Sequence, residues 1–345
     1  MEDNKEILIQ ILDDYRRSGI ADQVDYDKFY LYSMITHSTA IEGSTVTEIE
    51  NQLLFDEGIS AKGRSIIEQM MNLDLKHAYE TSMSLAREHA PFSVGMLKGL
   101  SAVLMQNTGS QYNTLQGSFD SSKGDLRLVN VTAGVGGRSY MSYQKVPSRL
   151  EEFCRIINER RTALEKTDDV IAKYMLSFDA HYLLVTIHPW VDGNGRMSRL
   201  VMNHLQFEYG LVPVKVNKED KSAYIQALVD SREQESLEPF RNFMLGEHIK
   251  NLRTELENYR SSEQDDPIKL VSATVDTISD PINKISDPRN QRLFNLIRQN
   301  SGWTYSRYAE ELGVSEATVK RRIGELKKLG LIRREGSNKT GHWIA

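Results

Sequence analysis

Residues 186–200 read TIHPWVDGNGRMSRL, and this stretch decides how the whole chain is interpreted. An apolar helix runs into His188 and should end there, because a residue that precedes proline disfavours helical geometry. Residues 192–195 then form a turn whose glycines allow positive φ and expose backbone N–H groups. A second helix is predicted from about Arg196. A glycine-flanked loop therefore leads into a helix N-terminus, an arrangement that binds anions.

The side chains of this stretch add the chemistry of a nucleotide site. Arg196 and Arg199 lie three residues apart, so both reach the same end of the helix and offer paired donors to a polyphosphate. Asp192 offers a hard oxygen for Mg²⁺, which binds one or two carboxylates together with substrate phosphates. His188 has a pKa near neutrality and suits a general base. Each residue alone is usually structural, but together they predict a phosphate-binding catalytic loop.

The run HPWVDGNGRMSR at 188–199 resembles the signature of the Fic (filamentation induced by cAMP) family, with Trp190 in place of the usual phenylalanine. The resemblance implies a helical Fic fold and transfer of AMP from ATP to a serine, threonine or tyrosine hydroxyl of a target protein. Pyrophosphate would be released. It assigns one role to each matching position: His188 as base, Asp192 on Mg²⁺, Gly193, Gly195 and the Asn194 side chain around the phosphates, Arg196 on the β-phosphate, and Arg199 on the γ-phosphate.

Two segments downstream also resemble family segments that close the nucleotide pocket. They are LVPV at 211–214 and KSAYIQAL at 221–228. The resemblance makes Tyr224 and Leu228 candidates for flanking the base. The alternative, equally supported, is that both belong to an ordinary helix core.

Upstream, residues 129–143 predict a short β-hairpin, the one strand pair expected on an otherwise helical body. This hairpin resembles the family's flap, whose edge would pair with the backbone of a target protein like an added strand. The segment departs from the common pattern because it lacks paired prolines and is rich in glycine, at Gly134, Gly136 and Gly137. The alternative is a plain surface hairpin.

Residues 38–43, STAIEG, match the inhibitory motif of the same family. Ser38 and Glu42 are four residues apart, so both should lie on one face of a helix that ends at Gly43. The resemblance implies that Glu42 pairs with Arg199 and keeps it from the γ-phosphate. Read alone, the segment would be a helix that ends in a surface glutamate.

The last 57 residues resemble a winged helix-turn-helix. Helices are predicted at 290–300, 304–312 and 317–329, with Ser315 as N-cap of the third, and a two-stranded wing follows. From Arg289 onward, twelve lysines and arginines stand against five acidic residues, a net charge of +7. Helix N-terminal residues read base edges and cations neutralise phosphates, so the candidates for DNA contact are Thr318, Lys320, Arg321 and Arg322. The alternative is a protein-interaction module.

The overall charge of −5 on 345 residues hides this asymmetry, since the remaining 288 residues carry −12. The predicted class is mainly α: a Fic-type helical domain with a small β-hairpin flap, plus the winged helix. Apolar residues at spacings of three and four predict helices at 65–87, 148–165, 169–187 and 196–209. The expected domains are an N-terminal helical region (1–95), a core (96–255), a linker (256–288) with Pro267, Pro281 and Pro288, and the winged helix (289–345).

The single cysteine, Cys154, excludes an internal disulfide and a multi-cysteine metal site. No long uncharged apolar run and no leader pattern are evident, so the expectation is a cytoplasmic protein without a membrane span. The expected ligands are ATP and Mg²⁺, and the expected partners are a target protein on the flap, DNA at the tail, and a second copy of the chain. Two alternatives stay open: a nucleotide-sensing DNA-binding regulator, and a Fic enzyme that uses another nucleotide or removes AMP.

Overall fold

The computed structural model describes residues 2–23, 25–133, 137–264, 288–328, 331–335 and 342–344. The chain divides into two compact units, Met1–Asp265 and Asp266–Ala345. Residues 1–95 and 96–255, predicted as separate regions, therefore lie within one unit. The predicted linker began at 256, but residues 256–264 belong to the helix Glu238–Gln264. Its residues 265–287 lie outside the described residues.

The first unit is built from helices joined by short loops. Four of these helices begin at a side-chain cap, because Thr47, Ser65, Ser93 and Asp169 each accept the backbone N–H three residues further on. The helices in the described part of this unit are α1 (Glu2–Ser18), α2 (Tyr26–Ile41), α3 (Glu48–Glu57), α4 (Ile66–Arg87), α5 (Val94–Leu104), α6 (Val146–Leu164), α7 (Val170–Ile187), α8 (Asn194–Glu208), α9 (Lys221–Glu233) and α10 (Glu238–Gln264). The four helices predicted from apolar spacing are confirmed, each end within two residues.

Helix α8 lies at the centre of the unit, packed against α7 and α4. Its apolar residues Met197, Leu200 and Leu205 are fully buried in the main core. Its polar positions are buried as well, so each needs a hydrogen-bond partner inside the protein. Asn203, for example, donates to the carbonyl of Val214 at 2.9 Å. A buried polar helix of this kind fixes its side chains firmly, which suits a helix that carries a site.

Helix α7 is long and apolar enough to cross a membrane by length and composition, and it alone passes that test among the described helices. Half of its span is buried inside the protein. It packs against α6, α8 and α10, and Leu176, Ala180 and Leu184 are fully buried in the main core. Its apolar character is thus used in packing α7 into this unit.

The β-hairpin of this unit lies elsewhere than predicted. Strands β1 (Gln111–Thr114) and β2 (Gly117–Asp120) pair antiparallel, with the rings of Tyr112 and Phe119 stacked 5.0 Å apart. The predicted hairpin at 129–143 is wrong in its extent: within its described residues, pairing amounts to one isolated bridge between Thr132 and Ser139. One reason is that a side chain occupies a backbone group that a longer ladder would use. The Val129 carbonyl, which would accept the N–H of Ser142, accepts instead from Arg127 Nη1 at 2.7 Å.

The second unit has the element order of a winged helix. Its described elements are α11 (Pro288–Gln299), α12 (Tyr305–Leu312), α13 (Glu316–Lys328), β3 (Arg333–Glu335) and β4 (His342–Ile344), the strands pairing antiparallel. Ser315 accepts the N–H of Thr318 at 3.2 Å, as predicted for an N-cap. The apolar side chains of α13, at Val319, Ile323 and Leu326, pack with those of α11 and with Trp343. The second unit thus has its own core.

Candidate active site

His188 caps the C-terminal end of α7 in a left-handed conformation, with φ of 53°. Its Nδ1 lies 3.3 Å from the Val185 carbonyl oxygen, which places a proton on Nδ1 and leaves Nε2 as an acceptor. The ring stacks on Tyr140 with centroids 3.7 Å apart and planes 15° apart. Burial lowers the pKa of His188 to about 4. The imidazole is therefore neutral at pH 7, in the form that accepts a proton.

The turn after His188 holds itself together through its own side chains. The Asn194 Oδ1 accepts the Trp190 N–H at 3.1 Å, and its Nδ2 donates to the Trp190 carbonyl at 2.8 Å. Trp190 is buried, and its ring N–H reaches the Gly124 carbonyl. The Asn194 side chain thus closes the loop through the Trp190 backbone, and its contact with phosphate stays a prediction. Helix α8 begins at Asn194, two residues earlier than predicted.

Asp192 and Gly193 form the outer edge of this turn. Gly193 has a φ of 77°, and its N–H lies 2.6 Å from the Asp192 Oδ1. The Asp192 side chain is 65% exposed and its Oδ2 lies 3.8 Å from Arg196 Nη2. No cluster of three or more His, Cys, Asp or Glu side chains suited to a metal occurs among the described residues. A cation held here would thus depend on one carboxylate and on oxygens from a ligand.

Arg196 is the side chain at this loop with unmet hydrogen-bonding capacity. It is buried, and its Nε and Nη1 have no hydrogen-bond partner in the described structure. Its Nη2 lies 3.5 Å from the thioether of Met105. Burial lowers the pKa of the Arg196 guanidinium, opposed by Asp192 and Glu42. Buried donors without acceptors are costly, so this guanidinium is complementary to an anion placed beside the N-terminus of α8.

Arg199, one turn further along α8, has a partner for each of its three nitrogens. Its Nε donates to the Ser38 hydroxyl at 2.8 Å, and its Nη2 donates to the Ser38 carbonyl at 2.9 Å and to the Glu42 Oε1 at 2.6 Å. Its Nη1 lies 3.5 Å from the Tyr224 hydroxyl. Although burial opposes the charge, the Glu42 carboxylate raises the pKa of Arg199. Arg199 is thus held by α2 and α9 rather than turned toward a ligand.

Glu42 sits against the loop itself. It is the C-cap of α2, and Gly43 follows with φ of 106°. A Cβ at Gly195 would lie 2.6 Å from the Glu42 Oε1, so a side chain at 195 would require this carboxylate to shift. Burial opposes its charge, but Arg199 outweighs it and lowers the pKa of Glu42. The carboxylate therefore occupies space directly over the first turn of α8.

The end of α2 is fixed from behind by a buried polar network. The Asn72 amide oxygen accepts from the Thr39 hydroxyl at 2.7 Å and from Asn51 Nδ2 at 2.9 Å. Asn72 Nδ2 donates to the Ser44 hydroxyl at 3.1 Å, and Asn51 Nδ2 also reaches Thr36 at 2.8 Å. These contacts tie α2 to α3 and α4. The position of Ser38 and Glu42 is therefore set by the fold of the N-terminal helices.

The two candidates for flanking a base separate in the structure. Tyr224 is 2% exposed, its hydroxyl lies 2.9 Å from His181 Nε2, and its ring packs on Phe240. It belongs to the core, as the alternative interpretation held, and touches the site only through Arg199. Leu228 instead lines a cavity of about 440 Å³ next to the His188 end of α7, together with Tyr140 and Val185.

Arg127 is a site residue that the sequence interpretation missed. Its side chain is buried and donates from Nε to the His188 carbonyl at 2.7 Å and from Nη1 to the Val129 carbonyl at 2.7 Å. Its Nη2 donates to the Met141 carbonyl, and its backbone N–H donates to the Pro189 carbonyl at 3.1 Å. A single arginine in the run LRLVNVT forms no repeating pattern that would mark it as a site residue. It lies next to His188 only because of the fold.

The predicted DNA contacts on α13 differ in accessibility. Lys320 and Arg321 are exposed, and they pair with Glu316 at 3.5 Å and Glu325 at 4.0 Å. Arg322 is 8% exposed, so its prediction as a DNA contact is corrected: the residue points into the unit. Thr318 is half-buried, with its hydroxyl 2.9 Å from that of Ser315.

The loop that joins a neutral histidine to a helix N-terminus with buried arginines lies inside a segment that matches a known family. Residues 91–206 match the Fic/DOC family, and residues 286–333 match the family "Winged helix-turn-helix DNA-binding". It is 26% identical over 205 residues to "Protein adenylyltransferase fic-1" of Caenorhabditis elegans, covering 59% of this chain and 36% of that protein. "Protein adenylyltransferase Fic" of Drosophila melanogaster is 27% identical over 216 residues, 62% of this chain and 39% of that protein. The chain thus aligns with less than two fifths of these relatives.

Solved structures show the same fold. A Fic domain containing signalling protein of Bacteroides thetaiotaomicron superposes with a TM-score of 0.60 at 19% identity, over 74% of this chain and 98% of that one. A Fic family protein of Desulfovibrio desulfuricans gives a TM-score of 0.59 at 18% identity, over 99% and 95% of the two chains. At these identities the likeness establishes the fold.

Proposed function

We propose that this protein transfers AMP from ATP to a serine, threonine or tyrosine hydroxyl of a target protein. One observation carries the proposal: the buried Arg196 guanidinium has two donor atoms without acceptors, beside the first turn of α8, whose N-terminus has no side-chain cap. A polyphosphate supplies the missing acceptors. The similarity to proteins named protein adenylyltransferase supports the choice of ATP.

In the proposed reaction His188 acts as the base. Its neutral ring accepts the proton of the target hydroxyl at Nε2 while the hydroxyl oxygen forms a bond to the α-phosphorus. The bond from the α-phosphorus to the bridging oxygen breaks, and pyrophosphate leaves. Arg196 holds the β-phosphate, and Arg199, once released, holds the γ-phosphate. Catalysis then rests on positioning and on fixed positive charge, as in other phosphoryl-type transfers.

The Asp192 carboxylate fits a magnesium ion carried in by the nucleotide. It is exposed at the edge of the loop, next to the position proposed for the phosphates, and one carboxylate suffices because Mg²⁺ keeps several waters and phosphate oxygens. When bound, the ion would neutralise charge on the phosphates. The base of the nucleotide is proposed to enter the cavity lined by Leu228 and Tyr140.

The enzyme is proposed to be autoinhibited. The ion pair with Glu42 and the two bonds to Ser38 use donors of Arg199 that a γ-phosphate would need. The Glu42 carboxylate also lies against Gly195 and would repel phosphate there. ATP then binds only in a pose that does not react.

Mass spectrometry of the Glu42→Gly protein, incubated in turn with each nucleoside triphosphate and Mg²⁺, tests the reaction class. The expected product is the protein itself with added AMP on a hydroxyl side chain, formed with ATP in preference to the others. Wild-type protein is the control for inhibition. Addition of a different nucleotide would identify the enzyme that uses another donor, and loss of AMP from a pre-modified protein would identify the reverse activity. Absence of any product with every nucleotide would contradict the transferase proposal.

A second proposal concerns the C-terminal unit, which we infer to bind DNA through α13. Lys320 and Arg321 are exposed, as are Lys327 and Lys328 at the other end of the same helix. The match to a DNA-binding winged helix family supports this inference. Because such contacts release counterions from phosphates, affinity should fall steeply as salt rises.

Fluorescence anisotropy of the full chain with a labelled random-sequence duplex, over a series of salt concentrations, measures this. The doubly substituted Lys320→Ala/Arg321→Ala chain should bind more weakly, and its salt slope should be shallower by about one for each phosphate that it no longer neutralises. Arg307→Ala, which removes an exposed arginine from α12, is the matched control. If the wild-type chain shows no binding at the lowest salt concentration, the protein-interaction alternative is favoured instead.

A further inference from the structure

Arg127 links two parts of the site through hydrogen bonds to backbone carbonyls. Its guanidinium bonds to the carbonyls of His188, at one side, and of Val129 and Met141, at the other. Its own N–H adds a bond to the Pro189 carbonyl. A planar fork with fixed donor directions reaches three carbonyls at once, which a lysine ammonium cannot do in the same geometry.

This arrangement costs the fold free energy. The Arg127 side chain is 1% exposed, and its partners are carbonyl oxygens rather than a carboxylate, so a full charge is buried against dipoles only. Burial accordingly lowers the pKa of the guanidinium. A leucine or methionine of similar size would fill this space without that cost. The bonds themselves, and hence the positions of the atoms they hold, are what the arginine provides.

The atoms held by Arg127 lie directly next to the stacked pair at the catalytic loop. The His188 carbonyl belongs to the residue whose ring is the proposed base, and Met141 is the neighbour of Tyr140, whose ring lies on that imidazole at 3.7 Å. Both rings are therefore attached, each through its own backbone, to one guanidinium. Movement of either segment would separate the rings and admit water to the imidazole.

We propose that Arg127 is a positioning residue that holds the His188 imidazole against Tyr140, in the orientation in which Nε2 takes the proton of the incoming hydroxyl. This proposal rests on the proposed transferase function. Arg127 does not touch the reacting atoms; it acts through the backbone carbonyl of His188 and through the 129–141 segment.

The first test is independent of catalysis. An NMR titration of the His188 ring is made in the full chain, with its resonances identified by their loss in His188→Asn. The groups that face this ring are the Val185 carbonyl, Tyr140, Arg127, Asp192 and Glu42. In Arg127→Met the pKa of His188 is expected to rise from about 4 toward the ordinary value of about 6.5, because the ring gains water and loses a nearby positive charge.

Two further variants keep this measurement decisive. Arg127→Lys retains the charge but not the three bonds, and it should give a smaller rise; Arg127→Gln serves if the methionine variant does not fold. Arg161→Met is the matched control, since Arg161 is also buried and also donates to carbonyls, those of His89 and Ala90, at 2.7 and 2.8 Å. An unchanged His188 pKa in a folded Arg127→Met or Arg127→Gln chain overturns the proposal.

The second test is kinetic, in the Glu42→Gly background. Arg127→Met should lower the rate of AMP transfer by between about tenfold and a hundredfold. A small displacement of a catalytic group from its reactive position slows a reaction by about this factor. ATP affinity should stay within about twofold, because Arg127 is placed away from the phosphates, and Arg127→Lys should recover part of the rate. An unchanged transfer rate contradicts the proposal. If the Glu42→Gly parent transfers nothing, the transferase function fails while the titration still decides the role of Arg127.

Discussion

Glu42→Gly is expected to raise the rate of AMP transfer by between about tenfold and a hundredfold. The substitution removes a hydrogen-bonded ion pair in which the Glu42 Oε1 lies 2.6 Å from Arg199 Nη2. Charge-assisted hydrogen bonds contribute about 1.5–3 kcal/mol each, and a factor of ten in rate corresponds to about 1.4 kcal/mol. The released Arg199 donors can then bind the γ-phosphate, and no carboxylate opposes it over Gly195. Incorporation of labelled AMP into the protein measures the change.

The chain offers a matched control for the backbone effect of this substitution. Glu88 is the C-cap of α4 with φ of −81° and ψ of −1°, and Glu42 is the C-cap of α2 with φ of −85° and ψ of 0°. Glu88 is exposed, so Glu88→Gly changes a helix end without touching the site. Glu42→Gln, which keeps the shape but not the charge, should activate less than glycine. If Glu42→Gly incorporates no more AMP than wild type or Glu88→Gly, the autoinhibition proposal is wrong.

The contact between α2 and α8 shows how far a sequence can predict a site. Spacing alone placed Ser38 and Glu42 on one face at a helix end, because side chains four apart on a helix are neighbours. It could not show that they meet Arg199, which is 157 residues from Glu42 along the chain. That pairing came from the family resemblance. The structure adds the role of Gly195, where a side chain would collide with the carboxylate.

The sequence predicted the contacts of individual side chains less well than it predicted the helices. Asn194 in a glycine-rich turn suits phosphate binding, and the structure adds two bonds from its amide to the backbone of Trp190, which depend on how tightly the turn closes. Tyr224 has the spacing of a pocket residue and also of a core residue, and burial decides between them. The spacing of residues along the chain predicts which face of its own helix a residue lies on. The contacts of that residue depend on which other elements pack against that face.

The β structure was misplaced for a related reason. The segment at 129–143 alternates like a strand, but Arg127 takes up the Val129 carbonyl that the ladder would use, and over its described residues the pairing is one isolated bridge. The hairpin that does form, β1–β2, has polar strands around Leu115, and polar strands give little alternation to detect. The apolar pattern therefore misled at 129–143 and gave no signal at β1–β2.

His188→Ala in the Glu42→Gly background should lower AMP transfer by about 10²- to 10⁴-fold, the usual contribution of a general base. ATP affinity should be retained, because the proposed phosphate contacts belong to Arg196, Arg199 and the start of α8. His188 has a φ of 53°, a conformation that asparagine tolerates well. His188→Asn therefore repeats the experiment without backbone strain, and His77→Ala, on the exposed side of α4, is the control. Persistent transfer in both His188 variants would remove the imidazole as base.

The pH dependence of transfer separates loss of a base from loss of structure. Since burial holds the pKa of His188 at about 4, its neutral form prevails from neutral pH down to that value, and kcat/KM should fall only below it. Bound triphosphate brings negative charge near the ring and raises its pKa, so the acid limb of kcat should lie at higher pH than that of kcat/KM. The residual transfer of His188→Asn should show neither limb. An acid limb that survives in His188→Asn would show that the titrating group is not His188. An acid limb of kcat/KM near pH 6.5 in the Glu42→Gly parent would mean that the imidazole is solvated when the hydroxyl arrives.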